Sequence, residues 1–265
     1  MKNRIGKLIA IVFIAYASLF LYQLTGGLFL RDIRNEFLQE MLAQLYFAFL
    51  VLLAVLVLRK MDLFRFSLND LKEGWTSAGL LVFMIYFIFR LASKTIGTLT
   101  VSRTDFLYFM IHMLLIGFSE EVVFRGLIQT AFHRFFKEET RTQVFLAILC
   151  SGIAFGLTHL VNSRNPEADF FDVFYQVIAT IFMGFYLGAI YFRTGRNIWY
   201  MILLHALYDA AGFILSGRLT GSSTYSILAA TGDGGIAGVL LWVVIYAAAT
   251  LIVLRPKKID PLLDR

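Results

Sequence analysis

The sequence predicts an all-α protein, a multi-pass transmembrane helical bundle. Of its 265 residues, 59% are hydrophobic and only 16% are charged, whereas about a quarter of the residues in soluble domains are charged. The mean hydropathy is +0.74. The apolar runs are long and unalternated and the chain has only three prolines, so spanning helices are predicted rather than barrel strands. We expect one integral membrane domain that covers residues 1–265.

A helix needs about 20 mostly apolar residues to cross a bilayer, and about eight runs of the chain qualify. The runs cover residues 8–24, 41–58, 77–93, 106–136, 144–161, 170–192, 198–215 and 236–254. The fourth run is long and contains a charged motif.

The segments around these runs support this division. The first run follows a short basic stretch, as a signal peptide would, but it is longer than a signal core and lacks an A-x-A cleavage pattern at its end. It is therefore predicted to be a retained helix. The connections at 59–76 and 134–143 are polar and basic, and the connection at 217–235 is rich in Gly, Ser and Thr. None of them is long enough to form a separate folded domain.

The distribution of Lys and Arg predicts the orientation of the chain. With the N-terminus in the cytoplasm, sixteen basic residues fall on the cytoplasmic side and six on the other side. Both termini are therefore predicted to be cytoplasmic, in a protein of the cell membrane. This asymmetry, together with anionic lipid, accounts for the net charge of +6, so no nucleic-acid partner is expected.

The fourth run contains two adjacent carboxylates and an arginine, and charges at membrane depth are costly unless they are paired and useful. Glu121 and Arg125 are four residues apart, so they share one face of a helix and can form an ion pair. Glu120 is rotated away from that pair by about 100°. With no local partner, Glu120 is a candidate general base. For Glu121 and Arg125 the alternative is a purely structural ion pair.

A histidine in the fifth run is predicted to lie level with Glu120. If the two helices turn near Glu139, Glu120 lies 19 residues before the turn and His159 lies 20 residues after it. Gly152 and Gly156 would allow the two helices to approach closely. The alternative is that His159 is only an interhelical hydrogen bonder.

The seventh run carries His205 and Asp209, four residues apart and on one face of a helix. An Asp in the middle of a span is costly without a donor, so the pair joins the candidate site. The alternative is a bond within the helix that merely satisfies both groups. His112 and Arg90 have no evident partner in the sequence and are left out of the site.

No cofactor is predicted. The chain has no HExxH, HxxEH, G-x-S-x-G or P-loop motif, and its single cysteine, Cys150, excludes an intramolecular disulfide and a cysteine metal cage. Two His and two Glu could still bind zinc, but they come from three helices without diagnostic spacing. Zinc is therefore an alternative and not the prediction.

Three motifs in order carry a family resemblance. They are Glu120-Glu121-x-x-x-Arg125, Phe155-x-x-x-His159 and His205-x-x-x-Asp209. In a protein of about eight spans, this ordered set resembles the CAAX protease and bacteriocin-processing family, also called CPBP or Abi, which includes the type II CAAX prenyl endopeptidases. The resemblance covers roughly residues 106–215.

The resemblance implies an intramembrane glutamate-type endopeptidase, a hydrolase that acts on a peptide or membrane-associated protein. Glu120 and His159 would activate a water, and His205 and Asp209 would stabilise the oxyanion. The pair described above, the second Glu of the motif and its Arg, would support the site. The family often has Asn at the position of Asp209, and an ionised Asp only accepts hydrogen bonds. Asp209 would therefore be either a protonated donor to the oxyanion or the partner of His205.

Two other functions fit the same residues. The first is a non-catalytic membrane protein, such as an immunity factor, that uses the polar cluster to bind a peptide. The second is a zinc-dependent membrane protease with these residues as ligands. The sequence predicts a peptide substrate and a lipid bilayer as partners, and it does not predict the oligomeric state.

Overall fold

The computed structural model describes residues 2–26, 30–68, 100–137, 139–164, 169–215, 217–219 and 235–263. Within these ranges the chain forms helices and connecting turns, and no strand occurs. The all-α prediction is confirmed.

The α-helices of the described residues are numbered in chain order. They are α1 (Lys2–Thr25), α2 (Glu36–Val57), α3 (Arg103–Glu121), α4 (Thr130–Phe136), α5 (Arg141–Thr158), α6 (Phe170–Arg193), α7 (Ile198–Leu215), α8 (Gly235–Val253) and α9 (Pro256–Leu263). Two short 3-10 helices, Met61–Phe64 and His159–Arg164, follow α2 and α5. A π-helix, Val122–Gln129, joins α3 to α4 and is called the π segment below.

Six helical stretches among the described residues are long and apolar enough to cross a membrane. They are Arg4–Thr25, Glu36–Val57, Arg103–Phe136, Arg141–Arg164, Phe170–Arg193 and Ile236–Val253. The seventh predicted run corresponds to a shorter apolar helix, Ile198–Ile214. The third predicted run, residues 77–93, lies outside the described residues. The chain is an integral membrane protein, and the orientation of its termini stays a prediction.

The π segment differs from the uniform helix that the sequence predicted. Residues Val122–Gln129 are all buried, and the hydroxyl of Thr130 donates to the carbonyl of Arg125 at 3.1 Å, five residues earlier. A π-helix is wider than an α-helix and occurs frequently at functional sites. On one side of it α3 packs against α2 and α7, and on the other side α4 packs against α1 and α5.

The chain reverses between α4 and α5, close to the predicted position. Lys137 ends α4 in a left-handed conformation, with φ 74°. The side chain of Thr140 accepts from the backbone of Gln143 while the Gln143 side chain accepts from the backbone of Thr140, so α5 begins with a capping box. α4 and α5 are therefore antiparallel neighbours across a tight turn.

The small residues of α5 face a different helix from the one expected. A Cβ on Gly152 would lie 2.3 Å from the ring of Phe185, and a Cβ on Gly156 would lie 2.8 Å from the backbone nitrogen of Ile181. Both neighbours belong to α6. The expectation that Gly152 and Gly156 bring α5 against the Glu120 helix is therefore wrong, because these glycines allow α6 to approach instead.

The close contact that positions the polar residues lies between α3 and α7. A Cβ on Gly117 would lie 2.6 Å from the carbonyl oxygen of Ile202 and 3.1 Å from the backbone nitrogen of Ala206. Only glycine allows the two backbones to approach this closely. Gly117 precedes Glu121 by one helical turn, so this contact brings the carboxylates of α3 close to His205 on α7.

Candidate active site

The predicted ion pair between Glu121 and Arg125 is present. Arg125 Nε lies 3.2 Å from Glu121 Oε2, and the two side chains are 1% and 0% exposed. This contact is an ion pair and not a hydrogen bond. Neither atom has a hydrogen-bond partner among the described residues. The guanidinium carbon of Arg125 also lies 4.5 Å from the centre of the Phe155 ring, a cation–π contact that adds to the attraction.

His205 is the point at which the carboxylates meet. Its Nδ1 lies 2.6 Å from Glu121 Oε1. Its Nε2 lies 3.6 Å from Glu120 Oε2 and 3.5 Å from Asp209 Oδ2. The structure thus brings together the first and third predicted motifs, although His205 follows Glu121 by 84 residues.

The contact with Glu121 fixes the orientation of the imidazole. An ionised carboxylate only accepts hydrogen bonds, so Nδ1 of His205 donates to Glu121. Nε2 is then the ring nitrogen that faces Glu120 and Asp209. Because Glu121 is itself held by Arg125, the pair described as supporting in the sequence lies directly behind His205.

The two adjacent glutamates differ in their access to solvent. The side chain of Glu121 is fully buried, whereas that of Glu120 is 27% exposed and that of Asp209 is 18% exposed. On its own helix Glu120 has no ion-pair partner among the described residues, as predicted. Its neighbour from another helix, His205, was not predicted. Glu120 and Asp209 are therefore the carboxylates that a water or a substrate can reach.

His159 lies beside this cluster without a direct contact to Glu120. Its Nδ1 lies 3.3 Å from the carbonyl oxygen of Phe155, and it lies within electrostatic range of Asp209 and His205. No hydrogen bond or ion pair joins His159 to Glu120 among the described residues. The predicted pairing of these two residues therefore has no direct contact in this structure.

Phe155 is a component of the site to which the sequence reasoning gave no role. Its ring centre lies 5.2 Å from that of His159 and 6.0 Å from that of His205, with nearly perpendicular planes. Together with the Arg125 contact, this makes Phe155 the apolar wall shared by three charged or polar residues. Its position four residues before His159 was the available signal, because those two residues share a helix face.

The residues left out of the site have separate positions. His112 Nδ1 lies 3.6 Å from Glu40 Oε2, and Glu40 also accepts a hydrogen bond from Arg218 at 2.8 Å. Arg90 lies outside the described residues. Within the part of the chain that the structure describes, no group of three or more His, Cys, Asp and Glu side chains is arranged to hold a metal ion.

The fold and the cluster define a helical integral membrane protein with carboxylates and histidines gathered inside its bundle. Residues 102–211 match the model of a protein family described as Rce1-like, type II CAAX prenyl endopeptidase. The resemblance inferred from the three motifs is confirmed over this segment, which agrees closely with the predicted range of 106–215. All six predicted site residues lie within it. A comparison with curated proteins found no significant match.

Proposed function

We propose that this protein is an intramembrane endopeptidase of the cell membrane that hydrolyses a peptide bond with an activated water. The observation that carries the proposal is the convergence on His205. Glu120, Glu121 and Asp209 approach it from two helices, inside the segment that matches the type II CAAX prenyl endopeptidases. Charges at this depth are retained where they are paired and useful.

In the proposed reaction Glu120 is the general base. It is the most exposed carboxylate of the cluster, so a water can reach it and give up a proton as its oxygen attacks the scissile carbonyl carbon. His159 lines the same site and helps to hold that water. The carbonyl becomes an oxyanion, the C–N bond breaks, and the proton held by Glu120 passes to the leaving amine. No covalent intermediate forms.

His205 is the proposed donor to the oxyanion. Glu120 and Glu121 lie on opposite sides of its ring, and their negative charges stabilise the imidazolium form. Its Nε2–H is then available on the side of Glu120 and Asp209, where the reaction would occur. Glu121 and Arg125 hold the other ring nitrogen in place, which is the supporting role that the family resemblance implies for them. Donors that are fixed in advance at a developing charge contribute strongly to catalysis.

We propose that water reaches the site through a nearby cavity. A cavity of about 310 Å³ lies between α1 and α2, and Tyr22 is part of its wall. Tyr22 lies within electrostatic range of Glu120. The cavity has room for several waters. A prenylated C-terminal peptide is one substrate class, and a leader peptide or a membrane-protein segment is another.

The test uses purified full-length protein in liposomes. Peptides that end in a Cys-a-a-X motif, with and without a farnesyl group, and a leader-type peptide are incubated with it in ¹⁸O water. Hydrolysis places one ¹⁸O in the new carboxylate of the product. Glu120→Gln should lower the rate by about 10²–10⁴, because Gln cannot accept the proton. Asp32→Asn, a change of an exposed carboxylate outside the site and both cavities, is the matched control.

The same experiment separates the alternatives. If Glu120→Gln cleaves as fast as the control, the mechanism is wrong. If a biological phenotype of the protein survives in the Glu120→Gln variant, a non-catalytic binding protein is favoured. If a chelator abolishes cleavage by the wild type and added zinc restores it, the residues serve as metal ligands.

A further inference from the structure

A second cavity lies at the other end of α1, and its rim is strongly basic. It measures about 700 Å³, within the range of about 300–1,000 Å³ that is typical of small-molecule sites. Arg4 and Lys7 of α1, Lys60 after α2, Arg134 of α4 and Lys137 at the turn all line it. Four separate parts of the fold therefore contribute positive charge to one cavity.

Few counter-charges lie near these basic side chains. Glu139 is the one acidic residue among those that line the cavity, and no described carboxylate forms an ion pair with any of the five basic side chains. Burial lowers the pKa of Lys60, and the positive charges of Arg134 and Lys7 lower it further, while the nearby carboxylate of Asp62 raises it. By contrast, the neighbouring Arg141 is neutralised by Asp260, which its Nε reaches at 2.6 Å. The cavity therefore concentrates five positive charges against two nearby carboxylates, Glu139 and Asp62.

The walls below the rim are apolar. Leu8 and Ile11 of α1, Leu58 at the end of α2, and Ala131 and Phe135 of α4 face the cavity. A basic rim above apolar walls complements a molecule with an anionic head and hydrocarbon chains. The cavity also lies at the end of the bundle that the Lys and Arg distribution places in the cytoplasm, where the lipid leaflet is negatively charged.

We propose that this cavity binds the phosphate-bearing headgroup of an anionic phospholipid, with the acyl chains along Leu8, Ile11 and Phe135. The charge complementarity and the apolar walls favour a lipid over free phosphate, which would gain nothing from those walls. Basic pockets between membrane helices are known to select anionic headgroups in this way. The site is separate from the Glu120 cluster, so the inference does not rest on the proposed protease activity.

The experiment measures lipid binding to the purified full-length protein by native mass spectrometry. Phosphatidylglycerol and phosphatidylcholine with identical acyl chains are added at increasing concentration. Phosphatidylglycerol should bind at least about tenfold more tightly. The double variant Lys60→Gln/Arg134→Gln should weaken that binding by roughly 30-fold, since each basic residue near an anionic lipid contributes a factor of roughly five. Arg65→Gln/Arg255→Gln, which removes two exposed charges outside the cavity, should leave binding unchanged.

Three results would overturn the proposal. The first is equal affinity for the two lipids, and the second is equal loss of binding in the two double variants. The third is binding of glycerol phosphate or inorganic phosphate as tight as that of phosphatidylglycerol, which would identify the ligand as free phosphate. If the Lys60→Gln/Arg134→Gln variant does not fold, Lys60→Arg/Arg134→Lys replaces it. That variant keeps both charges and should retain at least half of the wild-type affinity, and a large loss would contradict an electrostatic site.

Discussion

Glu120 and Glu121 are neighbours in the chain, yet their side chains have very different surroundings. Both oxygens of Glu121 lie close to positive or donating groups, Arg125 on one side and His205 on the other. Glu120 is partly exposed and approaches only the far nitrogen of His205. This difference follows from the rotation of about 100° between successive residues of a helix. It allows one carboxylate to hold the site together while its neighbour remains available for chemistry.

The ion pair predicts an asymmetry between single and double substitutions. Arg125→Ala should lower accumulation and the melting temperature sharply, because breaking a buried ion pair typically costs about 3–5 kcal/mol. Glu121 would retain His205 on one oxygen but would lose the charge of Arg125 beside the other. Glu121→Gln/Arg125→Met removes both charges, and it should restore accumulation well above that of the single variant. Quantitative immunoblots of membrane fractions, with thermal melts in detergent, measure both effects.

Arg65→Ala, which removes an exposed arginine, is the control for the loss of an arginine elsewhere. If the Arg125 single variant and the double variant accumulate to the same level, the ion pair does not contribute to folding in the way described.

Asp209 has two possible roles, which a single substitution distinguishes. If it is a neutral donor to the oxyanion, Asp209→Asn supplies that donor permanently, so activity should persist and should no longer fall as the carboxyl ionises at higher pH. If instead its charge orients His205, whose Nε2 lies 3.5 Å away, Asn removes the charge that stabilises the imidazolium and activity should collapse. The frequent Asn in the family favours the first result. A pH–rate profile of the variant decides between them, and strong loss at every pH in a folded protein would assign Asp209 to His205 alone.

For individual residues, the sequence predicted contacts within one helix well and contacts between helices poorly. The spacing of four residues was sufficient to predict the contact of Glu121 with Arg125 and that of His205 with Asp209. In each pair the two residues lie one turn apart on the same helical run. The contact between His205 and Glu121 depends on how α7 packs against α3, and no periodicity in the sequence contains that information. The estimate that placed His159 level with Glu120 used the length along the helix axis alone, so it could not give the direction of either side chain.

Among the secondary-structure elements, the π segment is one that the sequence did not predict. It lies directly after Glu121 and contains Arg125. A π-helix has a wider turn than an α-helix, and the helices on its two sides contact different neighbours, α2 and α7 for α3 and α1 and α5 for α4. The sequence shows an apolar run with a charged motif here, and none of its residue types distinguishes a π-helix from an α-helix. Sequence reasoning consequently predicted one uniform helix.

The contact between α3 and α7 predicts a severe effect of a very small substitution. In Gly117→Ala, the new methyl group would meet the carbonyl oxygen of Ile202 at 2.6 Å, so the two helices must separate. Forcing extra volume into a packed interior costs about 1–3 kcal/mol. The separation would also move Glu121 away from His205. The melting temperature and the hydrolysis rate should both fall.

Gly6→Ala provides a matched control for that prediction. Gly6 is also helical, and a Cβ there would meet nothing within 4 Å. Alanine should be neutral or slightly stabilising at this position, since it is the better helix former by about 1 kcal/mol. If the two glycine variants have the same melting temperature and the same hydrolysis rate, close packing at Gly117 does not position the site.

For the whole molecule, hydropathy was sufficient to predict the class of fold. Seven of the predicted runs coincide with described helices, and six of these are long enough to cross a membrane. This agreement has a simple physical cause, because a spanning segment must be both apolar and helical to satisfy its backbone in lipid. The order of packing could not be predicted in the same way. The glycine positions predicted that another helix approaches α5 closely, but they did not predict which helix it is. Gly152 and Gly156 contact α6.

The orientation of the bundle leads to a prediction about accessibility from the two sides. With Cys150 replaced by Ala, single cysteines are introduced at Arg255 and at Arg34, on the predicted cytoplasmic and opposite sides. A membrane-impermeant maleimide should label the cysteine at 34 in intact cells and the cysteine at 255 only after permeabilisation. Labelling in the reverse order would show that the orientation is opposite to the predicted one. The lipid cavity would then face the other leaflet.

The order of the charged residues along the chain also has a consequence for biosynthesis. Glu121 and Arg125 belong to one helical run, so they can pair as soon as that run has been made. His205 follows Glu121 by 84 residues, a delay of about 4–17 s at a translation rate of about 5–20 residues per second. During this interval the nascent chain already carries a counter-ion for Glu121, a carboxylate that is fully buried in the folded protein. Arg125 therefore allows the segment to enter the bilayer before the helix that completes the cluster exists.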